Sequence, residues 1–410
     1  MLRKRPLLAL IAAESVSSLG SLMTVVALPW FVLTTTGSAG RMGLVLAAEA
    51  APLALLGIAS GRLAGRLGAR NTLLVCDAVW APVIAAIPAL HYAGALSLPV
   101  LLVLAFLSGL PWPARYGSQA ALLPELLGED AARLAQANAI FQTLSRLAYF
   151  LGPALGGLLL SAFGAPTVLL IDAASFAVSF GIVAALVPPA AGEVRRDAPP
   201  AGGGGIRFIR GDALLRPLTV AQVLSQAAFM GMTAAIPVLA FAAYDRDPEL
   251  AGVLLAAWGA GAAVGGIAAF PLVESRPPLA LGAAAWCLQA APLWVMAATP
   301  RPAIAVGALA ASGLGNGLRV PPVVGVTTAR VPRALRAETL TVSSALVLTG
   351  GFVALIGAGP ALEHLGHAAV FGIVAGAQTL AAALMVRLAI TMPRSPRSTT
   401  TAGAQASRSF

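Results

Sequence analysis

The sequence predicts an all-α membrane protein with twelve transmembrane helices in two six-helix bundles around a central cavity. Three observations carry that prediction. Charged residues make up only 10% of the 410 and hydrophobic ones 58%, with a mean hydropathy of +0.86, where a soluble domain carries about 25% charged residues. Apolar windows of about 20 residues, the length that crosses a bilayer, occur twelve times. The second six windows also echo the first six in register. The 43 Gly and 30 Pro agree with this class, because both residues are commoner in membrane helices than in soluble ones.

In chain order the spans are 7–33, 42–60, 71–90, 99–118, 134–162 and 165–187, then 217–243, 250–273, 278–298, 302–325, 338–360 and 367–390. The least clear boundary lies between the fourth and fifth. Met1–Pro6 resembles the start of a signal peptide, but the apolar run behind it continues to Leu33, longer than a cleavable segment, and reads as the first span. Residues 188–216 hold Pro-Pro, Arg-Arg-Asp and a run of four glycines, which reads as a partly flexible linker. The division is therefore residues 1–187 as a first bundle, 188–216 as linker, 217–392 as a second bundle, and 393–410 as a Ser/Thr/Arg-rich disordered tail.

The net charge of +10 follows topology rather than a nucleic-acid partner. Arg3, Arg5, Arg62, Arg66, Arg70, Arg115, Arg133, the linker arginines, Arg276, Arg319, Arg330, Arg333 and Arg336 fall in one set of loops, and Arg41, Arg246 and Arg301 in the other. The positive-inside rule then puts both termini and the linker in the cytoplasm. The basic residues are one lysine, Lys4, and 25 arginines, a usage that reads as GC-rich bacterial coding, hence a bacterial inner membrane. Lys4 sits in no Gly-rich turn, so no P-loop is present. Cys76 and Cys287 lie in apolar runs, which speaks against a disulfide framework. No acid pairs show metal spacing, and the histidines (His91, His364, His367) fall outside the spans. No metal, no cofactor and no catalytic apparatus are expected.

The chain also repeats itself. Gly43-Leu-Val-Leu-Ala-Ala48 returns as Gly252-Val-Leu-Leu-Ala-Ala257, and Gly57-Ile58-Ala59 as Gly266-Ile267-Ala268. Ala27-Leu28-Pro29 is echoed by Ala235-Ile236-Pro237, and Ser108-Gly109-Leu110 with Arg115 by Ser312-Gly313-Leu314 with Arg319. Four matches at about half the chain length, with six spans per copy, make a parallel repeat about an axis along the membrane normal.

Within that plan, Arg146 to Gly157 stands out. Pro153 removes a backbone donor and predicts a kink, and Gly152 and Gly156 form a small-xxx-small notch for a neighbouring helix. The stretch reads as unmatched in the second half, hence as an asymmetric hinge. Gly261 and Gly265 in the eighth span form a similar notch.

Ionisable groups inside spans are costly and are functional candidates by default. Glu49, Glu14 and Asp172 are the proton-coupling candidates, all in the first half. A carboxyl removed from water exchanges its proton nearer neutrality, as a reversible carrier needs. Glu49 is replaced by Trp258 in the second copy, so the repeat itself does not require it. Glu14 heads a polar stripe with Ser17, Ser18, Ser21 and Thr24 on one helical face; a structural hydrogen bond is its plainer role, and helix packing is the plainer role of Asp172. Arg146, the one arginine deep in a span, needs an acid partner, with Glu14 or Glu49 expected, unless it snorkels to the interface. In the second half Gln222, Ser225, Gln226, Thr233 and Asn316 are cavity-lining candidates. Phe229, Met230, Trp258, Trp286 and Trp294 form an apolar wall or serve as ordinary packing.

Gly61-Arg62-Leu63-Ala64-Gly65-Arg66-Leu67-Gly68-Ala69-Arg70 resembles the G-x-L-A-D-R-x-G-R-R signature of the major facilitator superfamily, and Gly152-Pro153-x-x-Gly156-Gly157 resembles its antiporter signature. Ala27-Leu-Pro-Trp30, Pro113-Ala-Arg115, Leu123-Pro-Glu125, Ala137-Asn-Ala139 and Ile171-Asp-Ala-Ala-Ser-Phe176 are similar to the twelve-span drug:proton antiporter branch, with its macrolide, tetracycline and enterobactin exporters. The resemblance implies a conformational-switch loop at Gly61, Arg62, Gly65, Arg66, Gly68 and Arg70. Gly65 stands where the family has Asp: either it simply tightens the loop, or Asp77, seven residues past Arg70 on the same helical face, supplies compensating charge. It also implies a proton-coupled exporter of hydrophobic small molecules working by alternating access. The partners would be a small-molecule substrate, protons and lipid, with the monomer as working unit. A polar-metabolite or siderophore exporter and a transport-inactive sensor are the alternatives.

Overall fold

The computed structural model describes residues 5–128, 131–189, 204–298, 301–332 and 335–392. Among these residues all regular structure is helical: α1 Arg5–Thr36, α2 Ala39–Leu67, α3 Ala69–Tyr92, α4 Leu98–Gly109, α5 Trp112–Leu127, α6 Ala131–Phe163, α7 Ala165–Leu186, α8 Gly204–Gly211, α9 Leu215–Ala243, α10 Pro248–Ser275, α11 Pro278–Ala298, α12 Pro302–Arg330 and α13 Arg336–Thr391. By length and composition ten helical stretches are able to cross a membrane among the described residues. One of them, Glu338–Thr391, is 54 residues long and breaks at Gly366, where φ is 79°, so it supplies two spans. With α2 the count reaches the twelve expected.

Local chemistry accounts for the boundaries. Gly68 and Gly164 adopt φ of 80° and 78°, a region open to glycine at little cost, and turn the chain between α2 and α3 and between α6 and α7. Asp247 caps α10 by accepting from Glu249 N at 2.9 Å and Leu250 N at 3.2 Å, with Pro248 following at the first helical position, where its missing N–H costs nothing. The fourth span is α4 and α5 together. It is interrupted at Leu110–Pro111 and continues to Leu127, well past the expected end at 118.

Two expectations about the segments between spans change. Residues 61–67 complete α2 as helix, leaving the turn to Gly68; Gly65 is thus a helical residue and not part of a loop. The side chains of residues 57–65, Gly61, Arg62 and Gly65 among them, lie outside the described part. The linker is not wholly irregular either: Gly204–Gly211 forms α8, which buries Gly205 and Ile209. Gly205 lies against the backbone of Glu338 and Thr339 at the start of α13. Residues 190–203 and the tail at 393–410 fall outside the described residues.

α1–α7 pack on one another as one bundle and α9–α13 as the other, and they meet along two seams, α2 with α13 and α6 with α10. At the end away from the termini each seam is a pair of glycines. A Cβ added to Gly359 would lie 2.9 Å from Gly43 Cα, and one added to Gly157 the same distance from Gly252 Cα, closer than side chains tolerate. The repeat relates the pairs. Gly43 and Gly252 open the same motif, and Gly157 and Gly359 each precede a left-handed glycine, Gly164 or Gly366, by seven residues. A Gly-Pro-Ala-Leu run like Gly152–Leu155 also occurs at Gly359–Leu362, five residues later than that register would put it, so each half carries such a stretch but not at the same place.

Asp212 joins the linker to the second bundle. Its Oδ1 accepts from Leu214 N and Leu215 N at 2.9 Å, and its Oδ2 from Arg330 Nε at 2.8 Å. Burial pushes this carboxyl up, but the two N–H groups and the guanidinium outweigh it and hold the group below its ordinary value. Its stabilisation is therefore present above the usual aspartate value of about 3.9 and is lost as pH falls through the lower folded value. Asp212→Ala is expected to cost about 1 kcal/mol, the worth of a cap, and to lower the unfolding temperature more at pH 7 than at acid pH. Replacing Gly252 by Val should cost about 1–3 kcal/mol through overpacking and prise the seam open. In a Cys287→Ser background, a Ser21→Cys probe in the cavity should then label faster with an impermeant maleimide added to whole cells; an unchanged rate would argue against the seam as a barrier.

Candidate functional site

Between the bundles lies a cavity of about 240 Å³. Ser21, Thr24 and Pro29 of α1, Leu46, Glu49 and Leu53 of α2, Trp80 and Ile84 of α3, Trp112 of α5 and Asp172 and Phe176 of α7 form most of its wall. Met230 and Thr233 of α9 and Leu355 of α13 close the other side. Among the described residues, the ionisable groups on this wall are the carboxyls of Glu49 and Asp172. Asp172 is almost wholly buried and accepts from Thr24 Oγ1 at 2.6 Å and from Ser175 Oγ at 3.3 Å. Gly20 makes room for it, because a Cβ there would meet the Asp172 carboxylate and Ser175. Two proton-coupling candidates thus reach one chamber.

The third, Glu14, belongs elsewhere. Its Oε1 lies 2.9 Å from Arg115 Nη2, Asp77 Oδ1 lies 2.5 Å from Arg115 Nη1, and Arg115 Nη2 also donates to Ser17 Oγ at 2.7 Å. Ser179 Oγ donates to the second Asp77 oxygen at 2.7 Å, and the guanidinium stands 5.3 Å from the Trp80 ring centroid. All four polar partners and Arg115 are buried. This network ties α1, α3, α5 and α7 inside the first bundle, where a buried arginine requires neutralisation and hydrogen bonding together.

Several expectations are corrected by these contacts. Arg146 does not pair with Glu14 or Glu49; it reaches across the α6–α10 seam, where its Nη1 makes a long 3.5 Å contact with Ala262 O. Asp77 does not face Arg70, which instead donates to Val187 O at 2.5 Å and Ala184 O at 2.9 Å and so caps the end of α7. Arg66 is exposed in the last turn of α2. Gly152 and Gly156 do form a notch, and the helix it admits is α1, at Leu22 and Met23. Of the three glycines, Gly157 is the one that faces α10. Gly261 and Gly265 face α12 within the second bundle, at Ala310 and Leu314. Pro153 deprives Tyr149 O of its helical donor, and that carbonyl points at Gly259 of α10.

Of the polar lining candidates, Ser21 is on the wall, with its hydroxyl donating to Ser17 O at 2.9 Å. Ser18, Gln222 and Gln226 are half-buried and lie off it, Gln226 against Gly351. Asn316 is occupied, accepting from Arg319 Nη2 at 2.7 Å. Met230 is on the wall and Phe229 packs on Trp258 with centroids 4.7 Å apart. Trp286 is buried in the second bundle, and Trp294 is exposed with its Nε1 donating to Thr379 at 3.0 Å.

Arg115 is the residue of this network that sequence reasoning misplaces, because it is grouped with the loop arginines. The available signal is that α5 continues helical and apolar past Pro113, and that Arg319 recurs at the same place in the repeat.

Two helical bundles packed along two seams around a cavity are the architecture of secondary transporters. The Major Facilitator Superfamily model matches residues 10–358, and the chain belongs to that superfamily. The multidrug efflux pump Tap of Mycobacterium tuberculosis is 28% identical over 376 residues, which cover 89% of each chain. Tap of Mycolicibacterium fortuitum is 29% identical, covering 90% of this chain and 92% of the relative. Among solved structures, the nucleoside transporter NupG superposes with a TM-score of 0.73 at 14% identity, covering 94% of this chain and 99% of that one; at that identity the likeness concerns the fold.

Arg115→Ala leaves two carboxylates buried without a cation and is expected to cost about 3–5 kcal/mol. The triple variant Glu14→Gln, Asp77→Asn, Arg115→Gln, which removes charge from all three, should unfold at a higher temperature than Arg115→Ala. The reverse order would show that the ion pairs themselves contribute little.

Proposed function

We propose that this chain is a proton-driven exporter of hydrophobic small molecules that works by alternating access. The observation that carries the reading is the cavity wall: apolar and aromatic surface with two carboxyls, Glu49 and Asp172, and no cation among its described lining residues. An apolar wall takes apolar cargo, and a carboxyl that is ionised in one state and protonated in the other supplies the coupling. The likeness to proteins named multidrug efflux pumps supports export over uptake.

Residues 1–187 and 217–392 act as the two rocking bodies and residues 188–216 as their tether. One chain contains the whole cavity, so the monomer is the working unit. With the termini on the cytoplasmic side, the glycine pairs Gly43/Gly359 and Gly157/Gly252 seal the outer end, and the state described is inward-facing. Export then requires both pairs to part while the inner ends close. Arg146, which crosses to α10 near mid-helix, stays close to the axis of that rotation. The Arg115 network is too deep in one bundle to contact cargo; its role is to make the first bundle move as a unit.

Cells expressing the chain should accumulate less of the neutral dye N-phenyl-1-naphthylamine, and a proton ionophore should restore accumulation. Glu49→Gln and Asp172→Asn are each expected to reduce proton-dependent extrusion at least tenfold while leaving the amount of membrane-inserted protein unchanged. Wild-type extrusion in both variants would remove these acids from the coupling. No effect of the wild-type chain across a broad panel of toxic apolar compounds would remove the exporter reading.

A further inference from the structure

The two bundles treat the same arginine differently. Arg115 and Arg319 follow the matching triplets Ser108-Gly109-Leu110 and Ser312-Gly313-Leu314 at equal spacing. Arg115 is held by two acids. Arg319 has no acid partner among the described residues: its Nε donates to Gln289 Oε1 at 3.2 Å, its Nη2 to Asn316 Oδ1 at 2.7 Å, and its Cζ stands 4.7 Å from the Trp286 ring centroid.

The repeat shows how the acids were replaced. The register that aligns Ala27-Leu28-Pro29 with Ala235-Ile236-Pro237 puts Gln222 where the first half has Glu14, the neutral counterpart of the same shape. The register of the second span puts Trp286 and Gln289 where the first half has Asp77 and Trp80. Both arginines touch those two positions of the third helix in each bundle. The ring contact and the hydrogen bond have exchanged places, and both negative charges have gone.

A guanidinium offers five N–H groups in a planar fork that fits a carboxylate or sulfonate two bonds at a time. Two are used at Arg319. Arg319 is half-buried, and no partner for the other N–H groups stands among the described residues. They lie about 16 Å along α12 from Arg330, at 1.5 Å per residue, well inside the span. A charge held there without a counter-ion is costly, and a ligand that brings an anionic group relieves that cost.

We infer that Arg319 is an anion-recognition site in the second bundle, and that the molecules handled include apolar compounds bearing a carboxylate or sulfonate. The inference rests on the exporter reading only in treating the bound anion as cargo. The site itself is tested by binding without a proton gradient, which separates its failure from failure of the exporter reading.

The probe is 8-anilino-1-naphthalenesulfonate, compared with N-phenyl-1-naphthylamine, the same aromatic body without the sulfonate. Both are titrated onto the full chain in phosphatidylcholine nanodiscs, with protein-free discs as blank. Arg319→Gln should weaken the sulfonate dye at least tenfold and leave the neutral dye within twofold. Gln222→Glu, which restores the first-half acid, should do the same by supplying an internal counter-charge. If Arg319→Gln loses both dyes through misfolding, selective loss of the sulfonate in Gln222→Glu still supports the site. Wild-type affinity for the sulfonate in both variants, parallel loss of both dyes in both, or no saturable sulfonate binding by the wild type overturns it. Failure to extrude dye from cells, with Arg319-dependent binding intact, counts against the exporter reading and for the site.

Discussion

A charge inside a membrane helix has to be neutralised by its neighbours, because lipid offers no solvation. In the first bundle that constraint is met by Arg115 with Glu14 and Asp77, and the neighbouring packing follows from it. The pairs bring α1, α3 and α5 together, and Ser179 adds α7. Trp80 covers the guanidinium from one side and stacks on Phe176, with centroids 4.7 Å apart. Trp80 and Phe176 are also cavity wall. The ion network and the chamber thus share an aromatic partition.

The seams between bundles depend on the opposite property, the lack of any side chain. Gly43/Gly359 and Gly157/Gly252 bring backbones together, and such contacts are dispersion without interdigitation. Surfaces of this kind part without unthreading rotamers, which suits the barrier proposed above. Charge is thus neutralised inside a bundle, while the bundles meet through glycine contacts.

Much of this is legible in the sequence. The spans, the repeat and the superfamily signatures are readable because each depends on residues close together in the chain. Glu49 and Asp172 stand out as candidates, since a carboxyl in an apolar run has few ordinary reasons to be there; that they share one chamber does not show in one dimension. Arg115 is grouped with the loop arginines although it stands inside the expected fourth span, which ends at 118; the structure carries that span on to Leu127 and buries Arg115. The pairing of Arg146 with an acid fails for a different reason: several acids lie within plausible reach along the chain, and nothing in one dimension ranks them.

The sequence by itself determined that twelve helices cross the membrane and that the two halves are copies. In lipid each helix satisfies its own backbone, so hydrophobic length alone decides where the spans lie. Only the tertiary structure decided which side chains share a space: that Glu14 and Asp77 converge on Arg115, that Glu49 and Asp172 face one cavity, and that Arg319 stands beside amides where its counterpart has acids. Those outcomes depend on which helix faces span each gap, and that is set by packing among helices distant in the chain.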